Sequence, residues 1–393
     1  MPENLLRSTD MDPPALYDML ERLVAAPSVS CTSPALDQSN LGVIHHLAGW
    51  LDDLGFATDV APLPGKPGKA NLIATRGSGE GGLVLAGHTD TVPYDAGRWT
   101  QDPFTLTERD GRFYGLGCCD MKGFFPIAIE AARAFRADRL AKPLTVLATS
   151  DEESSMAGAK ALVAGGRPRA DFAIIGEPTD LVPVYAHKGF MMVVIRLTGA
   201  SGHSSDPGLG RNALDAMHCA MGELIAFRAE LATQHRNADF DVAVPTLNLG
   251  CMHAGDNPNR ICAEAELQID LRLLPGMDND EILAALRERL TRSAASHDVV
   301  IDMHPISAPV APFSSPRDGR LLRALEKLSG HGAGTVAFGT EGPFLQQLGM
   351  ETVIFGPGAI DQAHQPDEYL DGARIAPSVD ILRHVIADVC GRR

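Results

Sequence analysis

The stretch "PLTVLATSDEESSMAG", residues 143–158, joins an almost continuously apolar run to three consecutive acids, Asp151, Glu152 and Glu153. The apolar run is typical of a β-strand that is buried on both faces, as in a sheet covered by helices. Adjacent carboxylates repel one another, so either solvent or a bound cation must compensate their charge. Both explanations stay open at this point, because an acidic loop tip is common in soluble proteins.

Apolar strands alternate with amphipathic helices on both sides of this stretch. Strands are predicted at 70–77, 81–88, 143–150, 171–178 and 351–358, and helices at 13–27, 39–56, 123–138, 157–166 and 318–330. Such an alternation predicts an α/β fold, in which a mostly parallel sheet is flanked by helices.

The pattern changes from Gly189 onward to longer strands with alternating polarity. Strands are predicted at 189–199, 246–253, 261–276 and 298–310, with helices at 212–234 and 278–296. The order β-α-β-β-α-β predicts a ferredoxin-like α+β unit. The predicted domains are therefore a catalytic α/β domain in two parts, 1–187 and 311–393, and an inserted domain at 188–310.

The bulk composition excludes several classes of protein. The formal charge of −16 argues against nucleic-acid binding, which requires a basic face. The seven cysteines are scattered, and the adjacent Cys118 and Cys119 form no CxxC pair, so neither a disulfide framework nor a thiolate zinc site is predicted. No apolar run reaches the roughly 18 residues that span a bilayer, and the polar N-terminus is unlike a signal peptide. A cytoplasmic protein without a membrane partner is expected.

Histidines and carboxylates follow several predicted strands or lie in the loops beside them. They are His88, Asp90, Asp120, Glu152, Glu153, Glu177 and His364. Each has an ordinary explanation by itself: a structural histidine, a helix-capping aspartate, an acid in a surface turn or an exposed side chain. Because ligands collect at the carboxyl ends of parallel strands, their joint placement favours a metal site.

Five candidate ligands exceed the three that one catalytic zinc requires, so two ions with a shared carboxylate are predicted. His88, Asp120 and Glu177 would hold one ion. Asp120, Glu153 and His364 would hold the other. Two ions about 3.5–4 Å apart can share a water and lower its pKa toward about 7.

Two further acids have predicted roles beside these ligands. Glu152 points away from Glu153 on an extended chain, so it is expected to take the proton of the water. Asp90, two residues after His88, is expected to accept the ring N–H of that histidine and so to orient it.

The chain resembles the dinuclear zinc deacylase and peptidase family, which includes aminoacylases, in the motifs "GHTDTVP", "GLGCCDMKG", "SDEESSMAG", "IGEPTD", "SGHSSDP" and "QAHQPDE". The resemblance runs from about residue 15 to the C-terminus. It implies a zinc-peptidase-like catalytic domain with an inserted domain that serves as dimerisation and lid domain. It also implies two Zn²⁺ ions, for which Co²⁺ or Mn²⁺ can substitute, and a homodimer.

The family's roles carry over to matching positions. The implied metal ligands are His88, Asp120, Glu153, Glu177 and His364, with Glu152 as general acid/base, Asp90 as orienter of His88, and His203 as the oxyanion-stabilising residue from the partner subunit. The implied substrate-binding residues are Asn259 and Arg272, together with Thr340 and Lys188. A guanidinium suits the bidentate grip of a carboxylate. Glu341 is a separate hypothesis: an acid that pairs with a substrate ammonium, or an ordinary surface acid.

The segments "AHKGF", "PTLNLG" and "FGTEGPFLQQLG" are most similar to family members that act on acetylornithine. The resemblance implies removal of the acetyl group from N2-acetyl-L-ornithine to give L-ornithine and acetate, in arginine biosynthesis. The alternatives are succinyl-diaminopimelate, acetylcitrulline or a dipeptide as substrate, or a protein of this fold without catalysis. The sequence departs from the family's pattern at Cys118 and Cys119, which precede Asp120 where small residues are expected.

Overall fold

The computed structural model describes residues 13–392, which form two compact units. The first unit contains the described residues up to Tyr185 together with Ser315–Gly334 and the chain from Thr340 onward; the second contains Ala186–Ser314 and Thr335–Gly339. Residues 186–187, 311–314 and 335–339 thus lie on the other side of the boundaries predicted from the sequence. Most of the polar N-terminal stretch, residues 1–12, lies outside the described residues.

The first part of the chain contains four α-helices and eight strands among its described residues. In chain order they are α1 (Leu16–Val24), α2 (Leu41–Asp53), β1 (Ala57–Pro62), β2 (Ala70–Arg76), β3 (Leu83–His88), β4 (Thr107–Arg109), β5 (Arg112–Tyr114), α3 (Phe124–Arg133), β6 (Leu144–Thr149), α4 (Ala157–Gly165), β7 (Phe172–Ile175) and β8 (Val184–His187). The helix and strand positions predicted for this part are confirmed. The short strands β1, β4, β5 and β8 were not predicted.

The remaining elements follow in the same order along the chain. They are β9 (Gly189–Thr198), α5 (Ala213–Gln234), β10 (Thr246–Ala254), β11 (Glu264–Leu273), α6 (Asn279–Ala295), β12 (Val300–Pro305), β13 (Phe313–Ser314), α7 (Arg320–Ser329), β14 (Gly334–Val336), α8 (Gly342–Gln347), β15 (Glu351–Ile354), β16 (Tyr369–Asp371) and α9 (Ile375–Cys390). Within residues 13–392, we find no helix long and apolar enough to cross a membrane.

The main sheet of the first unit is mixed. Its strands run in the order β1-β2-β6-β3-β7-β15, and β8 pairs antiparallel with β15 through Val184 and Ile354. The pairs β6–β3, β3–β7 and β7–β15 are parallel, whereas β1–β2 and β2–β6 are antiparallel. All residues of β3 and β6 are buried, as expected for central strands covered on both faces. The predicted α/β architecture is confirmed, with the parallel pairing confined to the four central strands.

Helices cover this sheet through apolar stripes. In α1 the buried residues include Leu16, Met19, Leu20 and Leu23, which follow the helical spacing seen in the sequence. Every residue of α3 from Phe124 to Ala132 is buried, which makes it a core helix. A separate small sheet has the order β16-β5-β4.

The second unit confirms the ferredoxin-like prediction. The chain order β9-α5-β10-β11-α6-β12 gives a four-stranded antiparallel sheet with the order β10-β11-β9-β12. Burial alternates along β11, so that one face of the sheet packs against helices. Both helices begin at a capping side chain: Asn212 accepts from Leu214 N–H, and Asp278 accepts from the N–H groups of Asp280 and Glu281.

Candidate metal centre

Three neighbouring parallel strands end at one edge of the main sheet, and each leads into candidate ligands. β3 ends at His88, which is in register with Thr149, the last residue of β6. Glu152 and Glu153 follow β6 after two residues, and Glu177 follows β7 on the other side of β3. Parallel pairing therefore brings side chains from distant parts of the sequence to one edge.

Two loops complete the cluster with Asp120, ahead of α3, and His364, between β15 and β16. The Nε2 atom of His88 lies 3.1 Å from Asp120 Oδ1 and 3.9 Å from Glu177 Oε1. The Nε2 atom of His364 lies 3.0 Å from Glu153 Oε1 and 3.6 Å from Asp120 Oδ2. The two oxygens of Asp120 thus face two different histidines, which is the geometry that a carboxylate shared by two ions requires.

The donor atoms form three overlapping groups. His88, Asp120 and Glu177 are one, Asp120, Glu153 and His364 a second, and His88, Glu152 and Glu153 a third, each with ligand atoms within 4.8 Å of one another. Imidazole nitrogen combined with carboxylate oxygen suits Zn²⁺, Co²⁺ or Mn²⁺. The side chains present therefore fit a pair of divalent ions.

The carboxylates of this edge are costly to ionise in the metal-free protein. The pKa of Glu177 is raised well above its usual value, first by burial and then by the charges of Asp120, Glu153 and Glu341. The pKa of Glu152 is raised in the same way, by burial and by its acidic neighbours. Each of these acids would be stabilised in its ionised form by a cation among them.

The same carboxylates raise the pKa of the two histidines. Burial alone would lower the pKa of His88, but its hydrogen bond with Asp120 and the charge of Glu177 raise it well above its usual value. The hydrogen bond with Glu153 is the main reason that the pKa of His364 rises to about 9. Two imidazoles do not balance four surrounding carboxylates, and a divalent ion pair would do so.

Asp90 does not hold His88 in the way the sequence predicted. Its carboxylate lies 3.8 Å from His88 Nδ1, beyond hydrogen-bonding distance, and the backbone carbonyl of Asp90 makes the contact instead, at 3.0 Å. The carboxylate accepts from the backbone N–H groups of Glu152 (3.2 Å) and Glu153 (3.1 Å). The Asp90 carboxylate therefore fixes the acidic loop rather than the imidazole.

Asp151, the first acid of the opening stretch, belongs to a different environment. Its φ of +60° turns the chain, and its carboxylate lies 2.9 Å from Lys69 Nζ and 2.5 Å from Lys66 Nζ. Its pKa is below the usual value because these two hydrogen-bonded ammonium groups outweigh the effect of burial. Lysines of the protein therefore compensate its charge.

The sequence model of Peptidase family M20/M25/M40 matches residues 84–388, which include every residue of this cluster. The chain belongs to this family. The matched range also spans the residues of the second unit.

Curated relatives cover nearly the whole chain. An acetylornithine deacetylase of Erwinia tasmaniensis is 47% identical over 377 residues, which make up 96% of this chain and 98% of that relative. An acetylornithine deacetylase of Pectobacterium carotovorum subsp. carotovorum is 48% identical over 383 residues, or 97% of this chain and 99% of that relative.

Two solved peptidase structures share the fold at low sequence identity. Aminopeptidase PepT from Bacillus cereus superposes with a TM-score of 0.75 at 19% identity, covering 95% of this chain and 98% of that one. The YXEP protein of Bacillus subtilis, described as a dinuclear metal-binding peptidase of the M20 family, gives a TM-score of 0.66 at 15% identity, covering 95% and 98%. These likenesses concern the fold alone.

Four of the residues implied by the family resemblance lie in the second unit. His203 and Asn259 lie close together, because Ser204 N–H donates to the carbonyl of Asn259 at 3.1 Å. His203 Nδ1 accepts from Ser205 N–H at 3.2 Å, so in the neutral ring the proton sits on Nε2. That tautomer leaves an N–H donor on the far side of the ring, as oxyanion stabilisation requires.

The two cationic candidates of the second unit already have partners. Arg272 makes two contacts with Asp270, of 2.9 and 3.1 Å, so a substrate carboxylate would have to compete with this aspartate. Lys188 is buried and donates to the carbonyl of Val244 at 2.7 Å. Burial and the nearby charge of Arg272 lower the pKa of Lys188.

Thr340 and Glu341 lie in the first unit at the start of α8. Glu341 is only 1% exposed, so the alternative of a surface acid is wrong. Its Oε2 accepts from the hydroxyl of Thr149 at 2.8 Å, whereas its buried Oε1 has no hydrogen-bond partner among the described residues. Burial raises the pKa of Glu341 to about 7. The Thr340 hydroxyl accepts from Gly342 N–H at 3.0 Å.

One buried acid near the cluster was missed in the sequence. Glu368, four residues after His364, is 2% exposed and hydrogen-bonds the loop that carries Asp120. The only signal was its place in "HQPDEYL", an acid just ahead of a short apolar strand, and that pattern does not reveal a partner 251 residues away.

Proposed function

We propose that the chain is a metal-dependent amidohydrolase that removes the acetyl group from N2-acetyl-L-ornithine, giving L-ornithine and acetate. The observation that carries the proposal is the 46–48% identity to curated acetylornithine deacetylases over 96–97% of the chain. The cluster at the sheet edge supports it, since its donors suit two divalent ions that share Asp120. The corresponding biological role is a step of arginine biosynthesis in the cytoplasm.

The metal ligands in this proposal are His88, Asp120, Glu153, Glu177 and His364. Bound Zn²⁺, or Co²⁺ or Mn²⁺ in its place, would polarise the acetyl carbonyl and acidify the attacking water. Glu152 is the general acid/base: it takes the proton of the water and then donates a proton to the leaving α-amine. Burial and acidic neighbours raise the pKa of Glu152 in the metal-free protein. Cations bound beside it would favour the ionised form, which is the form that accepts the proton of the water. Asp90 positions Glu152 by accepting from its backbone N–H.

The substrate-binding residues in the proposal are Asn259, Arg272, Thr340, Lys188 and Glu341. Arg272 would grip the α-carboxylate by exchanging Asp270 for the substrate. Glu341, with one oxygen unpartnered among the described residues, would attract the substrate ammonium. A succinyl substrate would instead need a further cation for its second carboxylate, and "FGTEGPF" supplies an acid.

The second unit is proposed to serve as dimerisation and lid domain of a homodimer, with boundaries near residues 188 and 310. His203 of one subunit would then donate its Nε2–H to the oxyanion in the other. This arrangement follows the family resemblance, and the tautomer set by Ser205 supports it. Equilibrium sedimentation tests whether the protein is a dimer. Mixed dimers of His203→Ala and Glu152→Gln subunits test whether the histidine acts in trans. If it does, mixing the two inactive variants is expected to recover about a quarter to a half of the wild-type activity.

The substrate assignment is tested by comparing kcat/KM for acetylornithine, acetylcitrulline and succinyl-diaminopimelate with Zn²⁺-loaded protein. Acetylornithine is expected to be preferred by at least about tenfold, the effect of one well-placed charge contact of about 1.4 kcal/mol. Chelator-treated protein is the control and should regain activity on addition of metal. Equal or better turnover of another substrate would contradict the proposed substrate but not the amidohydrolase class. No turnover of any N-acyl amino acid by metal-loaded protein would contradict both.

A further inference from the structure

The buried carboxylate of Glu368 accepts hydrogen bonds from three backbone N–H groups of the loop before α3. Its Oε2 accepts from Gly117 N–H at 2.9 Å, and its Oε1 accepts from Cys119 N–H at 2.8 Å and from Asp120 N–H at 2.9 Å. All of these contacts are buried. Since unpaired buried N–H groups are costly, this single side chain satisfies backbone donors that no strand or helix pairs.

Tertiary pairing explains why Glu368 reaches this loop. It directly precedes β16, which pairs antiparallel with β5 through Tyr369 and Tyr114. The carbonyl of Glu368 also accepts from Gly115 N–H at 3.1 Å. One chain segment thus supplies His364 and, four residues later, the group that binds the Asp120 loop.

The loop itself is tightly confined around these contacts. Gly117 has a φ of +80°, and a Cβ there would lie 2.6 Å from Lys122 Cε and 2.7 Å from Thr91 Cγ2. Lys122 is fully buried, and its positive charge interacts with Glu368. The Lys122 ammonium donates to the carbonyl of Ala26 at 3.2 Å, and the backbone N–H groups are the direct partners of the Glu368 carboxylate.

We propose that Glu368 is a positioning residue that fixes the backbone of Asp120 so that each oxygen of this aspartate faces a different histidine. It contacts neither the proposed ions nor the substrate and acts through the loop. The inference rests on the proposed metal centre, since a shared Asp120 matters only if two ions are bound. Its consequence is that Glu368 governs metal affinity at both sites together.

The test is a calorimetric titration of metal-free protein with Zn²⁺, comparing wild type, Glu368→Gln and Glu351→Gln. The side-chain amide of the E368Q variant would turn its NH₂ group toward a backbone N–H and so lose one acceptor. Glu351 is the matched control, because its carboxylate also accepts from backbone N–H groups, of Leu321 (2.8 Å) and Arg320 (3.3 Å), at the start of α7. E368Q is expected to bind both ions about 10–100-fold more weakly, the usual effect of losing a group that orients a ligand. E351Q should lower Tm without changing metal affinity.

Unchanged affinity of E368Q for both ions, beside a wild type that binds two, would overturn this inference alone. A wild type that binds no Zn²⁺ would overturn the metal centre and the inference with it. If E368Q does not fold, hydrogen exchange of the wild-type peptide covering residues 115–121 decides: slow exchange in the metal-free protein is expected, and exchange as fast as in an open loop would overturn the role of Glu368.

Discussion

Asp151 and Glu153 are separated by one residue, yet they belong to two different charge environments. Asp151 lies between Lys66 and Lys69, and these cations lower its pKa. Glu153 lies among other carboxylates at the sheet edge, where His364 is its partner at 3.0 Å. The protein compensates the first acid with its own lysines.

At the sheet edge, the described residues supply fewer cationic groups than carboxylates. Burying an uncompensated charge is expensive, and proteins tolerate it where a bound ion completes the site. The lysine-paired acid is therefore expected to contribute to folding stability, and the acids at the sheet edge to metal binding and catalysis. The following variants test this division, from the largest expected effect to the smallest.

Asp120→Asn should abolish metal binding at the sheet edge. An amide supplies only one neutral oxygen, so it cannot face both histidines with negative charge, and both metal sites should be lost together. Elemental analysis after gel filtration should find less than about one ion per chain, and turnover should be undetectable. Two retained ions would show that Asp120 is not shared. Asp151→Asn serves as the control, since it should keep both ions.

Glu152→Gln should separate metal binding from proton transfer within the same acidic stretch. Because Glu152 is the proposed general acid/base, kcat should fall roughly 10²–10⁴-fold. The metal content and Tm should stay near the wild-type values. A change in an exposed loop, Glu80→Gln, provides the matched control for loss of one negative charge. Retained turnover in E152Q would assign the proton transfer to another group.

Asp151→Asn should affect stability rather than chemistry. It leaves the buried Lys69 with Asp37 as its remaining charged partner, at 2.8 Å. Removing one member of a buried ion pair costs roughly 3 kcal/mol at the low end of the usual range, and Asp37 keeps the effect near that end. Denaturant titration measures it. A large loss of kcat in the folded variant, with unchanged stability, would contradict the division between the two environments.

Glu341→Gln should change how the stability of the metal-free protein depends on pH. The folded-state pKa of Glu341 is about 7, above its ordinary value of 4.5, so the folded protein binds this proton more tightly than the unfolded chain. Stability is therefore lost as pH rises from about 4.5 to 7. The decrease in Tm between about pH 5.5 and 7.5 should be smaller by a few degrees in E341Q, as measured by calorimetry in chelator. An unchanged decrease would show that Glu341 ionises normally.

The sequence was informative wherever the physical signal was local. Periodicity 2 or 3.6 in the apolar residues identified the central strands, helices α1 to α7 and the β-α-β-β-α-β order of the second unit. The helices α8 and α9 were not predicted. The rule that ligands follow parallel strands selected His88, Glu153 and Glu177 without knowledge of their partners. Short strands such as β1 and β4 were missed because a few half-exposed residues carry too little pattern.

Side-chain partners were decided only by the tertiary structure. Asp90 was expected to bind the imidazole two residues away, but its carboxylate instead accepts from the N–H groups of Glu152 and Glu153. Lys66, a partner of Asp151, precedes it by 85 residues, and Glu368 meets its loop across 251 residues. The sequence determines the type of each side chain and its distance along the chain from its neighbours. A hydrogen bond between distant residues also requires that the two segments lie side by side. That placement is decided by the strand pairing of the folded protein.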